Sequence, residues 1–149
     1  MTWFAMSADK PDGPIPTPAG GSKRSAIFKR QPRILIVEDE FLIALELENR
    51  LLDADFEVVG IATTAGEAIA LASSQTPDLA IMDIRLAGRR DGVEAAIEIF
   101  TTLGIRSIFS SAHDDAATRK RAIPASPIGW LRKPYSANAL IELIKSNLE

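Results

Sequence analysis

The chain has 149 residues, 46% of them hydrophobic and 25% charged, with nine glycines, nine prolines and no cysteine. A chain of that size can bury enough surface for one self-sufficient core. The absence of cysteine excludes a disulfide framework, thiolate metal sites and a cysteine nucleophile, and with His113 the only histidine, zinc sites built from several imidazoles are excluded too. Candidate chemistry therefore runs on carboxylates, hydroxyls and amines.

No stretch approaches the roughly 18 apolar residues that span a bilayer, and Met1–Met6 has no signal-peptide character, so a cytoplasmic protein without a membrane partner is expected. The net charge of −3 is uneven: residues 1–32 carry five basic and two acidic side chains, and the remainder 12 basic and 18 acidic. The acidic remainder is not expected to bind nucleic acid through a general positive field.

Residues 1–32 read as a flexible leader, with Pro11, Pro14, Pro16, Pro18 and Pro32 among scattered Gly, Ser and Thr. It is either an inert tail or a docking arm whose contact points would be Trp3, Phe4, Lys23–Arg24 and Lys29–Arg30. The second unit is residues 33–149. From Arg33 on, short β-branched runs alternate with helical periodicity, the pattern of βα units on a parallel sheet. Strands are expected at Arg33–Val37, Phe56–Ala62, Asp78–Ile84, Ile105–Ser110 and Ile128–Arg132. The first helix, Phe41–Leu52, is expected to bury Phe41, Leu42, Leu45, Leu47, Leu51 and Leu52. Thr64–Glu67 and Asp91–Glu94 read as capping boxes that open the second and third helices, and Ser136 caps the last. The fourth helix, Asp114–Ile123, offers only small alanines and one Ile, and is expected to be the most mobile element.

In a doubly wound parallel sheet, functional groups gather at the carboxyl ends of the strands. Those ends carry Glu38-Asp39-Glu40, Asp83, Ser110-Ser111-Ala112 and Lys133-Pro134. Crowded carboxylates stay ionised only beside a compensating cation, and an oxygen-only set with open positions suits Mg²⁺. With Mg²⁺ and Lys133 present, a phosphoryl group could approach Asp83 as nucleophile, while Ser111 contacts its oxygens. Ser110 is the rival for that hydroxyl role.

The order Glu38-Asp39, Asp83 after I-M-D-I, Ser111-Ala112 and Lys133-Pro134, with successive spacings of 44, 28 and 22 residues between Asp39, Asp83, Ser111 and Lys133, resembles the receiver domain of bacterial two-component response regulators. The resemblance covers about residues 33–148. It implies a CheY-like, flavodoxin-like (βα)5 fold: an α/β protein with a five-stranded parallel sheet and helices on both faces. Asp83 would be the phosphoacceptor, charged by a sensor histidine kinase or histidine phosphotransfer protein. Asp39, Asp83 and the Arg85 carbonyl would hold Mg²⁺, with Glu38 joining directly or through water. Ser111 would be the switch hydroxyl, Lys133 the pocket ammonium, Trp130 the switch aromatic, and Pro134 would follow a cis peptide bond.

The pattern also shows departures. The acidic pair is Glu-Asp where Asp-Asp is common, and the loop after Asp83 lacks a proline and is one residue longer than the common variety. Arg85 and His113 stand at positions that tune water access to the acyl phosphate in this family. The expectation is a single-domain response regulator, not an enzyme, that signals through an unknown protein effector or a homodimer formed by the fourth helix, fifth strand and fifth helix. The alternatives are a phosphate sink or relay intermediate, and a Mg²⁺-dependent phosphatase of related fold. Arg85 stands where phosphatases of that kind want an acid, which argues against the last.

Overall fold

A computed structural model describes residues 30–113 and 115–148. The expected leader lies outside the described residues except for its last three positions, and Asp114 and Glu149 lie outside them too. Among the described residues five strands alternate with five helices: β1 (Arg33–Val37), α1 (Phe41–Asp53), β2 (Glu57–Ala62), α2 (Ala65–Gln75), β3 (Leu79–Asp83), α3 (Gly92–Leu103), β4 (Arg106–Ser111), α4 (Ala116–Arg121), β5 (Gly129–Arg132) and α5 (Ala137–Leu148). A 3₁₀ turn, Ile123–Ala125, joins α4 to β5.

All strand pairs are parallel, in the order β2-β1-β3-β4-β5. Strand order reverses at β1 and β3, so the tips of those two strands stand side by side, where such sheets place their ligand crevice. β1 and β3 are apolar along their length because both faces are covered. One face packs Leu35, Val37, Ala80, Met82 and Phe109 under α2 and α3; the other packs Ile34, Ile36, Ile81 and Ile108 under α1 and α5. No helix among the described residues is long and apolar enough to cross a membrane.

Two expectations are corrected. In α1 the buried residues are Ala44, Leu47 and Leu51, whereas Phe41, Leu42 and Leu52 are exposed. Leu47 and Leu51 are buried as expected, but at 3.6 residues per turn Leu42 points about 160° away from Ala44 and lies on the outer face. The fourth helix runs only from Ala116 to Arg121 and buries no side chain. Ile123, the one large apolar residue expected in it, is 67% exposed, and Ala122 and Ala125 are buried.

The capping expectations fall on the right residues. Thr64 Oγ1 accepts the Glu67 N–H at 3.1 Å, Asp91 Oδ1 accepts the Glu94 N–H at 3.0 Å, and Ser136 Oγ accepts the Ala139 N–H at 3.0 Å. Asp115 caps α4 through the Thr118 N–H.

Candidate functional site

The residue after β1, the last residue of β3 and the residue after β5 bring Glu38, Asp83 and Lys133 together. Lys133 Nζ donates to Glu38 Oε1 at 3.1 Å and lies 3.3 Å from Asp83 Oδ2. Backbone bonds hold each tip: the Glu38 N–H donates to the Ala62 carbonyl, the Ile84 N–H to the Ser110 carbonyl, and the Lys133 N–H to the Ser111 carbonyl. The Lys133–Pro134 peptide bond is cis.

Glu38 and Asp83 are buried, and Asp39 beside them is exposed. One carboxylate oxygen from each of Glu38, Asp39 and Asp83 lies within 4.8 Å of the others. Burial pushes the Glu38 carboxyl up, and the Asp83 charge pushes the same way, against a hydrogen bond from the Glu40 N–H and the nearby Lys133. Burial would depress Lys133, but the charges of Asp83 and Glu38 outweigh it and hold the ammonium above its ordinary value. Three carboxylates thus face one ammonium, and the pocket carries an excess of negative charge at its open side. Hard oxygen donors with an exposed member fit a divalent cation that keeps part of its water.

A cavity of about 580 Å³ opens over this cluster and is also lined by Arg85, Ser111 and His113. The Ser111 hydroxyl accepts the His113 N–H at 2.9 Å and donates to the His113 carbonyl. It is therefore tied to its own loop and not to Asp83. Ser110, its rival, is buried on the other side of β4. Trp130 is apart from the cavity: its ring stacks on Phe109 at 4.7 Å, and the Arg119 guanidinium sits 4.8 Å above it.

Two residues of the site were not singled out in the sequence. Gly92, at the start of α3, packs against the Asp83 carbonyl, and its N–H donates to the Ile84 carbonyl at 2.7 Å; the Asp-Gly pair at a helix start was the available signal. Tyr135 follows the cis bond, and burial raises its phenol; adjacency to Lys133-Pro134 was the signal.

The family model described as "Response regulator receiver domain" matches residues 34–145. Among curated proteins, the chain is 38% identical over 113 residues to the transcriptional regulatory protein PdtaR of Mycobacterium tuberculosis, covering 76% of this chain and 55% of PdtaR. It is 36% identical over 110 residues to the phyllosphere-induced regulator PhyR of Methylorubrum extorquens, covering 72% and 41%. The chain thus spans about half the length of the curated relatives it matches. Among solved structures, the receiver domain of a modulated diguanylate cyclase from Desulfovibrio desulfuricans superposes with a TM-score of 0.73 at 35% identity, over 78% of this chain and 92% of that one. A CheY-like receiver protein from Methanospirillum hungatei gives 0.74 at 28% identity, over 79% and 94%.

Proposed function

Because the chain belongs to the response regulator receiver domain family of two-component systems, we propose that Asp83 accepts a phosphoryl group from a phosphohistidine donor and that the change this makes is read by another protein. The observation that carries the reading is the triangle of Lys133 with Glu38 and Asp83 at 3.1 and 3.3 Å, beside the oxygen cluster that includes Asp39.

Glu38, Asp39, Asp83 and the Arg85 carbonyl are the groups that would hold Mg²⁺. When bound, Mg²⁺ neutralises the pocket and polarises the phosphoryl oxygens. Transfer forms a bond from an Asp83 carboxylate oxygen to phosphorus and breaks the donor's P–N bond; the departing imidazole takes up a proton. Lys133 supplies positive charge to the equatorial oxygens, which in-line transfer needs more than covalent help. Ser111 turns from the His113 carbonyl to donate to a phosphoryl oxygen, which frees the loop ahead of α4.

The donor docks around the cavity mouth. There Phe41 and Leu42 are 67% and 78% exposed in the first turn of α1. A groove of about 590 Å³ beside them, lined by Ile43, Leu47, Pro134 and Tyr135, accepts a helix of the donor. The outer surface of α4, which buries nothing and carries Arg119 over Trp130 of β5, is the effector or homodimer face. The site of action is the cytoplasm.

Incubation of the protein with acetyl phosphate and Mg²⁺, followed by intact mass, tests the reading. One added phosphoryl group is expected in the wild type, none in Asp83→Asn, and a strongly reduced amount in Lys133→Ala. Equal labelling of Asp83→Asn overturns it.

A further inference from the structure

We propose that Glu67, on α2 and outside the acidic pocket, is a positioning residue that clamps the loop carrying the Arg85 carbonyl and thereby sets the affinity of the pocket for Mg²⁺; this rests on the reading of the pocket as a Mg²⁺ site.

The clamp consists of four hydrogen bonds and one bridge. Glu67 Oε1 accepts both the Thr63 N–H at 2.8 Å and the Thr63 hydroxyl at 3.0 Å. Thr64 Oγ1 accepts the Glu67 N–H at 3.1 Å, so the turn between β2 and α2 is closed from both sides. The Thr63 carbonyl, held in place by that turn, accepts the Ala87 N–H at 3.3 Å. Thr64 also pairs with Ala87 in a short parallel bridge.

Ala87 is two residues beyond Arg85. The segment from Ile84 to Asp91 has a fixed end at the Gly92 N–H, which donates to the Ile84 carbonyl at 2.7 Å. Arg85, Ala87, Gly88 and Arg89 are exposed and the Leu86 side chain packs on the core; Ala87 is where the backbone in the middle of the loop is hydrogen-bonded to another element. Groups that orient metal ligands from behind typically matter about 10–100-fold in metal affinity.

Both bonds from Thr63 end on one oxygen of Glu67. The requirement is for an acceptor oxygen, not a charge, so a glutamine carbonyl can replace the carboxylate and an alanine cannot. Glu67 is exposed, so both variants are expected to fold.

The test is calorimetric titration of the full chain with magnesium chloride, alongside hydrogen exchange of the Ala87 amide in the metal-free protein. Glu67→Ala is expected to weaken Mg²⁺ binding about tenfold and to speed exchange at Ala87, and Glu67→Gln to match the wild type in both. Wild-type Mg²⁺ affinity in Glu67→Ala overturns the proposal even if thermal stability falls. So does a Glu67→Gln variant as weak as the alanine one. A wild type that binds no Mg²⁺ overturns the metal reading itself, and the wild-type titration alone reveals that failure.

Discussion

A Cβ at Gly92 would lie 1.9 Å from the carbonyl oxygen of Asp83. The two backbones meet there because the first turn of α3 is pulled against the tip of β3 by the bond from the Gly92 N–H to the Ile84 carbonyl. The glycine is required by close approach, since neither Asp83 nor its strand can retreat within the sheet.

In an open helix, Gly→Ala stabilises by about 1 kcal/mol. At Gly92 the sign is expected to reverse, with a loss of about 1–3 kcal/mol from overpacking against backbone. Urea denaturation of Gly92→Ala measures it, and a variant as stable as the wild type contradicts the account. Displacement of Asp83 should also slow phosphorylation in the same protein.

Arg121 at the end of α4 pairs with Asp91 at 2.6 Å, reaching across to the N-cap of α3. Burial raises the Asp91 carboxyl, but the Arg121 guanidinium and the Glu94 N–H outweigh it and hold it below its ordinary value. A folded-state value below the unfolded one stabilises above the unfolded value and is lost as pH falls through the folded one. The stability cost of Arg121→Gln is therefore expected to be larger at about pH 6 than at about pH 3, and under about 1 kcal/mol because the pair is half exposed. Glu67 and Asp115 are also held low by backbone hydrogen bonds, so the difference between wild type and variant reports the carboxylates that Arg121 faces, Asp91 first and Glu94 second. A cost that grows on acidification contradicts the pairing.

Ser107, in β4, has a buried hydroxyl with no hydrogen-bond partner among the described residues. A buried unpartnered hydroxyl costs stability, and its removal leaves little space to collapse. Ser107→Ala is expected to be neutral or to stabilise by about 1 kcal/mol. Thermal and urea unfolding measure this, and a loss above about 1 kcal/mol would show that the hydroxyl is in fact satisfied.

The sheet and the pocket were legible in the sequence because both depend on short-range signals repeated along the chain. β-branched runs such as Arg33–Val37 mark strands, and Glu38, Asp83 and Lys133 each stand at a strand end. Asp39 and Ser111 also line the cavity for that reason, and Arg85, which only the family resemblance implied, lines it as well. What was not legible depends on orientation or on partners far apart in the chain. Leu42 and Ala44 differ in burial through helix phase, and Ala44 carries too little apolar surface to announce itself. Arg121 and Asp91 are 30 residues apart, and no local pattern links them. Glu67 was read as half of a capping box, yet its carboxylate serves Thr63, one residue before the cap. The stacking of Trp130 on Phe109 required the β4–β5 register, in which the two residues are direct partners.

The most direct test of the central claim is to locate the phosphoryl group on the chain. Borohydride reduction of the acetyl-phosphate-treated protein converts an acyl phosphate on aspartate to homoserine, which peptide mapping by mass can place. The account predicts homoserine at position 83 alone, dependent on Mg²⁺. Reduction at Asp39 or another carboxylate, with Asp83 intact, would contradict it.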